Sequence, residues 1–147
     1  MKIKIIKIPY DKNIPCTVHE IADAQDLSIK EAGKVLDRIK ELIGIEWAEI
    51  ALTILKGEDP RRDYALIVDE VGKLKDDWME RINARASQFY AGTRYGDPIV
   101  GNVVLCAREW TESFGECDLA GLKEWEVDAL FEDITEFELL LNAWEKD

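Results

Sequence analysis

The sequence predicts a mainly α protein: a helical bundle with an N-terminal helix-turn-helix-like unit and one short N-terminal β-strand. Three observations predict it. Apolar residues recur at the i, i+3, i+4 spacing of a helix over most of the chain. Thr17 with Glu20, Ser28 with Glu31 and Thr135 with Glu138 have the spacing of capping boxes, in which a hydroxyl and a carboxylate satisfy the free N–H groups that open a helix. Only the first residues, Lys2–Ile8, alternate lysine with isoleucine as a half-buried strand does. At 147 residues, 47% apolar and with five tryptophans, the chain suits one domain with a real core.

The opening strand cannot stand alone. Its candidate partners are residues 49–55, residues 99–105, or the same strand of a second copy in a homodimer. Over residues 20–45, Ile21, Ala22, Leu27, Ala32, Val35, Leu36 and Ile39 hold helical spacing with one break at Leu27 and Ser28, so two short helices meet at a turn. Gly44 follows the second helix where a left-handed cap is wanted. In residues 45–55, Trp47, Ile50, Ala51, Ile54 and Leu55 fit a helix better than a strand, with Gly57 as the stop. Residues 60–92 then read as a long central helix, carried by Tyr64, Ile67, Val68, Val71, Leu74, Trp78, Ile82 and Phe89 between Pro60 and Gly92. Gly72 inside it costs about 1 kcal/mol relative to alanine. Residues 92–97, GTRYGD, are the best loop. Pro98 opens a further helix toward Phe114, with a strand over residues 99–105 as the alternative, and residues 98–147 complete the bundle as acidic helices.

The segment Glu-Ile-Ala, four residues, Leu-Ser and a following helix resembles the helix-turn-helix of bacterial winged-helix and repressor families. The resemblance covers about 26 residues, and it implies a recognition helix over Ile29–Ile43 entering a major groove. Lys30, Lys34 and Arg38 would then contact nucleic acid. Its competitor is a compact helical corner used for packing or for gripping a protein. Eight bases against six acids through residue 40 keep a mild basic bias at this end.

The other end is different. The chain carries −12, of which residues 109–147 supply −11, with 13 acids against Lys123 and Lys146. Trp110, Phe114, Trp125, Phe131, Phe137 and Trp144 in the same stretch mark it as folded and not as a solvating tail. Phe137, Leu140, Leu141 and Trp144 form a helical stripe, and burying that stripe pushes carboxylates outward together. From Trp125 onward the chain also bears a weak resemblance to the helical ends of phage tail-assembly chaperones and related accessory proteins.

Catalysis finds little support. His19 is the single histidine, and there is no Walker loop, G-x-G-x-x-G, G-x-S-x-G, H-E-x-x-H or EF-hand loop. Carboxylate pairs such as Glu124 with Asp128 and Glu132 with Glu136 arise by chance at this acid content, so neither metal nor cofactor is expected. Cys16, Cys106 and Cys117 form no C-x-x-C and are an odd number, which points to free thiols in a reducing, cytoplasmic setting. No apolar run approaches ~20 residues, so no membrane partner is expected.

The expected function is a non-enzymatic, protein-binding accessory or inhibitory protein. Its acidic end would engage a basic protein surface through Glu124, Asp128, Glu132, Glu136, Glu138 and Glu145. The alternatives are a DNA-binding regulator and a phage assembly or structural protein.

Overall fold

The computed structural model describes residues 2–22, 29–56, 60–110 and 117–146. Its framework is a six-stranded antiparallel sheet with helices on both faces, and this overturns the mainly α, helical-bundle expectation. The strands are β1 (Lys2–Ile8), β2 (Thr17–Ala22), β3 (Ala48–Lys56), β4 (Arg62–Asp69), β5 (Val103–Trp110) and β6 (Cys117–Ala120). They lie in the order β2-β1-β5-β4-β3, with β6 paired to β5 beside the end of β1. The helices are α1 (Ile29–Ile43), α2 (Ala84–Ser87) and α3 (Glu124–Lys146), with short 3₁₀ turns between β4 and β5.

The expected long helix over residues 60–92 is instead β4 followed by 3₁₀ turns and the single turn of α2. β4 is central and covered on both faces, so Tyr64 to Asp69 are buried in unbroken succession. A doubly covered strand has no polar face to reveal its period of two, and its apolar run satisfies a helical count equally well. The same holds for β5, VVLCAREW, where a helix toward Phe114 was expected; the alternative strand over residues 99–105 overlaps the observed one only at residues 103–105. β3 takes the place of a helix over residues 45–55 because both of its faces are apolar: Ala51 and Leu55 pack inward, whereas Ile50, Leu52 and Ile54 stay exposed.

The helix-turn-helix-like unit is also corrected. Thr17–Ala22 forms β2, paired with β1 through Ile3↔Ile21 and Ile5↔His19, where the first helix of that unit was expected. Thr17 therefore caps nothing, and its Oγ1 lies 2.7 Å from His19 Nε2. The Ser28 cap lies outside the described residues. α1 does span Ile29–Ile43, and it ends in a Schellman motif: Ile45 N–H bonds to Lys40 O (3.0 Å) and Gly44 N–H to Glu41 O (3.3 Å), with Gly44 at φ +70°. β1 finds one of its three candidate partners, since Ile6↔Leu105 and Ile8↔Val103 join it to β5.

The two sheet faces hold two cores. On one, Ile6, Ile8, Leu66, Val103 and Leu105 meet Phe89 and the α3 residues Val127, Leu130 and Ile134. On the other, Ile3, Ile5, Ile67, Val104 and Cys106 meet Ile39 and Ile43 of α1. Each such fully buried side chain contributes about 1.5–3 kcal/mol. Asn83, wholly buried, ties the long β4–β5 connection to the sheet by donating to Ile8 O and Gly101 O, both at 2.9 Å. Among the described residues, no helix is long and apolar enough to cross a membrane.

Candidate protein-binding surface

α3 is fixed at its start by a buried polar cluster. Glu126, three residues into the helix and 1% exposed, accepts the Lys123 N–H at 2.8 Å, the carboxylate half of a capping box. It also accepts from Arg62 Nη2 (2.5 Å), Arg62 Nε (3.1 Å) and the Tyr64 hydroxyl. Arg62 completes its bonds to Glu109 and to Gly121 O, at 2.6 and 2.8 Å. Burial alone would raise the Glu126 pKa, but the bonds from Arg62, Tyr64 and Lys123 outweigh it and hold the carboxyl below the ordinary range. Burial and the bond to Glu126 push Tyr64 up to about 12. The polar groups of Arg62, Tyr64 and Glu126 bond to one another and to Glu109, Gly121 and Lys123, so the cluster pins the start of the helix to the sheet.

Along α3 the inward stripe of Val127, Leu130 and Ile134 is followed by Glu138, whose carboxylate receives Arg85 Nη1 at 3.0 Å. Arg85, 2% exposed, also donates to the carbonyls of Pro9, Asp11 and Ile14. The Thr135–Glu138 pair therefore starts no helix; it lies in the middle of one.

Past this anchorage the expected burial of Leu140 and Trp144 fails. They are 71% and 82% exposed, Leu139 is 65% exposed, and only Phe137 and Leu141 of the terminal apolar residues are partly covered. The helix runs about 18 Å beyond Ile134, farther than the sheet layer follows it.

Glu124, Asp128, Glu132 and Glu136 are exposed and spaced by four, and Leu140 and Trp144 continue the same spacing. One i, i+4 row, turning about 40° around the helix axis at each step, thus carries four carboxylates and then two large apolar groups across the exposed side. Among the described residues, no lysine or arginine forms a salt bridge with those four acids. Successive like charges at i, i+4 repel by about 0.2–0.5 kcal/mol each, a cost that a cationic neighbour would remove. Two further residues expected in this surface differ. Glu138 is engaged by Arg85, and the Glu145 side chain lies outside what is described, as do those of Lys30 and Lys34. Arg38 is exposed on α1.

Sequence reasoning missed Leu139 as a surface residue and Arg62, Tyr64 and Glu126 as a cluster. A glutamate three residues after a helix start was the available signal for Glu126. Among the described residues, no group of His, Cys, Asp or Glu is arranged to hold a metal ion. Burial raises the Cys16 thiol to about 11 and Cys106 to about 12, opposite to an activated nucleophile.

No protein-family model and no curated protein matches the chain. Among solved structures, the small RNA methyltransferase HEN1 contains a similar fold, with a TM-score of 0.56 at 16% identity over 92% of this chain. The chain spans 16% of that protein's length, and the likeness is one of fold alone.

Proposed function

We propose that this chain is a non-enzymatic accessory or inhibitory protein that binds a basic protein partner through the outer ridge of α3. The observation that carries the reading is the ridge itself. Four uncompensated carboxylates lead into Leu140 and Trp144 on a helix whose other side is anchored to a sheet. A partner with an apolar cleft rimmed by lysine or arginine fits this order, because the apolar pair supplies desolvation and the carboxylates supply steering and register. Self-association through the ridge is disfavoured, since a second copy would bring like charges together.

Capture of a partner from lysate, compared across variants, tests the reading. Glu132→Lys with Glu136→Lys, and separately Leu140→Ala with Trp144→Ala, should each abolish capture while far-UV circular dichroism stays that of the parent. Undiminished capture by both double variants overturns it. Glu138 is unsuited to this test, because its loss would disturb Arg85 as well.

A further inference from the structure

β3 ends the sheet. Its inner side pairs with β4 from Ala48↔Asp69 to Leu52↔Ala65. On its outer side, among the described residues, backbone pairing is confined to Thr53 and Ile54, by a bridge to Tyr90 and a bond from Ile54 N–H to Phe89 O at 2.8 Å. Ahead of that bridge the edge borders an open groove of about 410 Å³, inside the range of about 300–1,000 Å³ typical of ligand pockets. Its lining joins β3 to the end of β4 and to the β4–β5 connection, with Ala51, Val68 and Val100 as buried apolar members and Tyr90 and Gly92 beside them. Edge strands are usually covered, charged or bent away, yet Trp47, Ile50 and Leu52 here are 57%, 44% and 55% exposed.

Charge selects the occupant. Glu49 and Glu70 border the groove, exposed, and form no salt bridge among the described residues. Lys73, near enough to Glu49 to feel its charge, is already paired with Asp97, and Lys75 with Asp69 at 2.9 Å. With residues 53–54 covered, two copies could pair only through residues 48–52, which would bring two Glu49 carboxylates into one short ladder.

We propose that this groove is a strand-addition site that takes an extended segment of a basic partner. Main-chain bonds form to residues 48–52, and lysine or arginine side chains reach Glu49 and Glu70. The site is separate from the α3 ridge and stands or falls without it.

The test titrates the ¹⁵N-labelled full chain with the peptide Lys-Val-Lys-Val-Lys-Val-Lys. The amides of residues 48–52 should shift and saturate. Glu49→Lys with Glu70→Lys should weaken binding at least about tenfold, and Glu49→Gln with Glu70→Gln serves if the reversal fails to fold. A peptide of the same charge with alternate amides N-methylated should not saturate. Equal binding of the methylated peptide, undiminished binding by the folded variant, or shifts confined to α3 overturns the proposal. A micromolar dimer in sedimentation that buries residues 48–52 and resists the peptide assigns the groove to a second copy and overturns it too.

Discussion

Arg62 on β4 grips Glu126 in the first turn of α3 with one edge of its guanidinium, Nη2 to Oε1 at 2.5 Å and Nε to Oε2 at 3.1 Å. The two side chains are 9% and 1% exposed, so this fork bonds sheet to helix out of reach of water. Removing Glu126 leaves the buried Arg62 with only the half-exposed Glu109 as a counter-charge. Glu126→Gln should therefore lower unfolding free energy by about 3–5 kcal/mol in denaturant titration at neutral pH. Replacing both residues with apolar ones of similar volume should cost less.

The same cluster sets two limits on pH stability. Glu126 titrates below its ordinary value when folded, so its contribution is present above the unfolded carboxylate pKa of about 4.3 and is lost as pH falls through the folded one. Tyr64 holds its proton to about 12 against an ordinary value of 10.0, so the unfolded chain ionises first and stability falls as pH rises above 10. Thermal melts across pH should show both losses. Glu126→Gln should flatten the acid arm and Tyr64→Phe should reduce the alkaline one.

Asn83→Ala should destabilise by about 2–6 kcal/mol. It leaves the carbonyls of Ile8 and Gly101 without their donor, at roughly 1–3 kcal/mol for each unsatisfied buried group. Equilibrium unfolding at neutral pH measures the loss.

Charge reversal on the ridge should act in the opposite sense on the free protein. Glu132→Lys turns its two i, i+4 repulsions, with Asp128 and Glu136, into attractions. It should therefore stabilise by about 1 kcal/mol, an effect that fades as salt is added. Binding would be lost in the variant whose melting point rises.

In a Cys117→Ser background, the remaining thiols should react slowly with a disulfide reagent at pH 8. Cys16 at about 11 and Cys106 at about 12 are a thousandth ionised or less at that pH, and Cys106 is 1% exposed. Cys106 should be modified only in denaturant. Absorbance of the released thiol follows both.

Much of this architecture is hidden from the sequence for one physical reason. Tyr64 to Asp69 and Val103 to Ala107 are covered on both faces, so they offer no polar rhythm, and helical counting absorbs them. β1 was legible because Lys2 and Lys4 alternate with isoleucines, and α1 because its stripe ends at a glycine suited to positive φ. The acidic ridge was legible in Glu124, Asp128, Glu132 and Glu136, since a spacing of four survives whatever the helix packs against. What Leu140 and Trp144 touch was not legible, because the extent of a packing layer is a property of the whole sheet.

Glu138 is the last residue of α3 among those described to hold a side-chain hydrogen bond, and the exposed Leu139, Leu140 and Trp144 follow it at once. Brief chymotrypsin digestion should therefore nick the chain after Leu140 or Trp144. The remainder should keep its cooperative melt, because its cores lie wholly upstream of the cut. Recognition and foldedness would then be separable by a single peptide-bond scission.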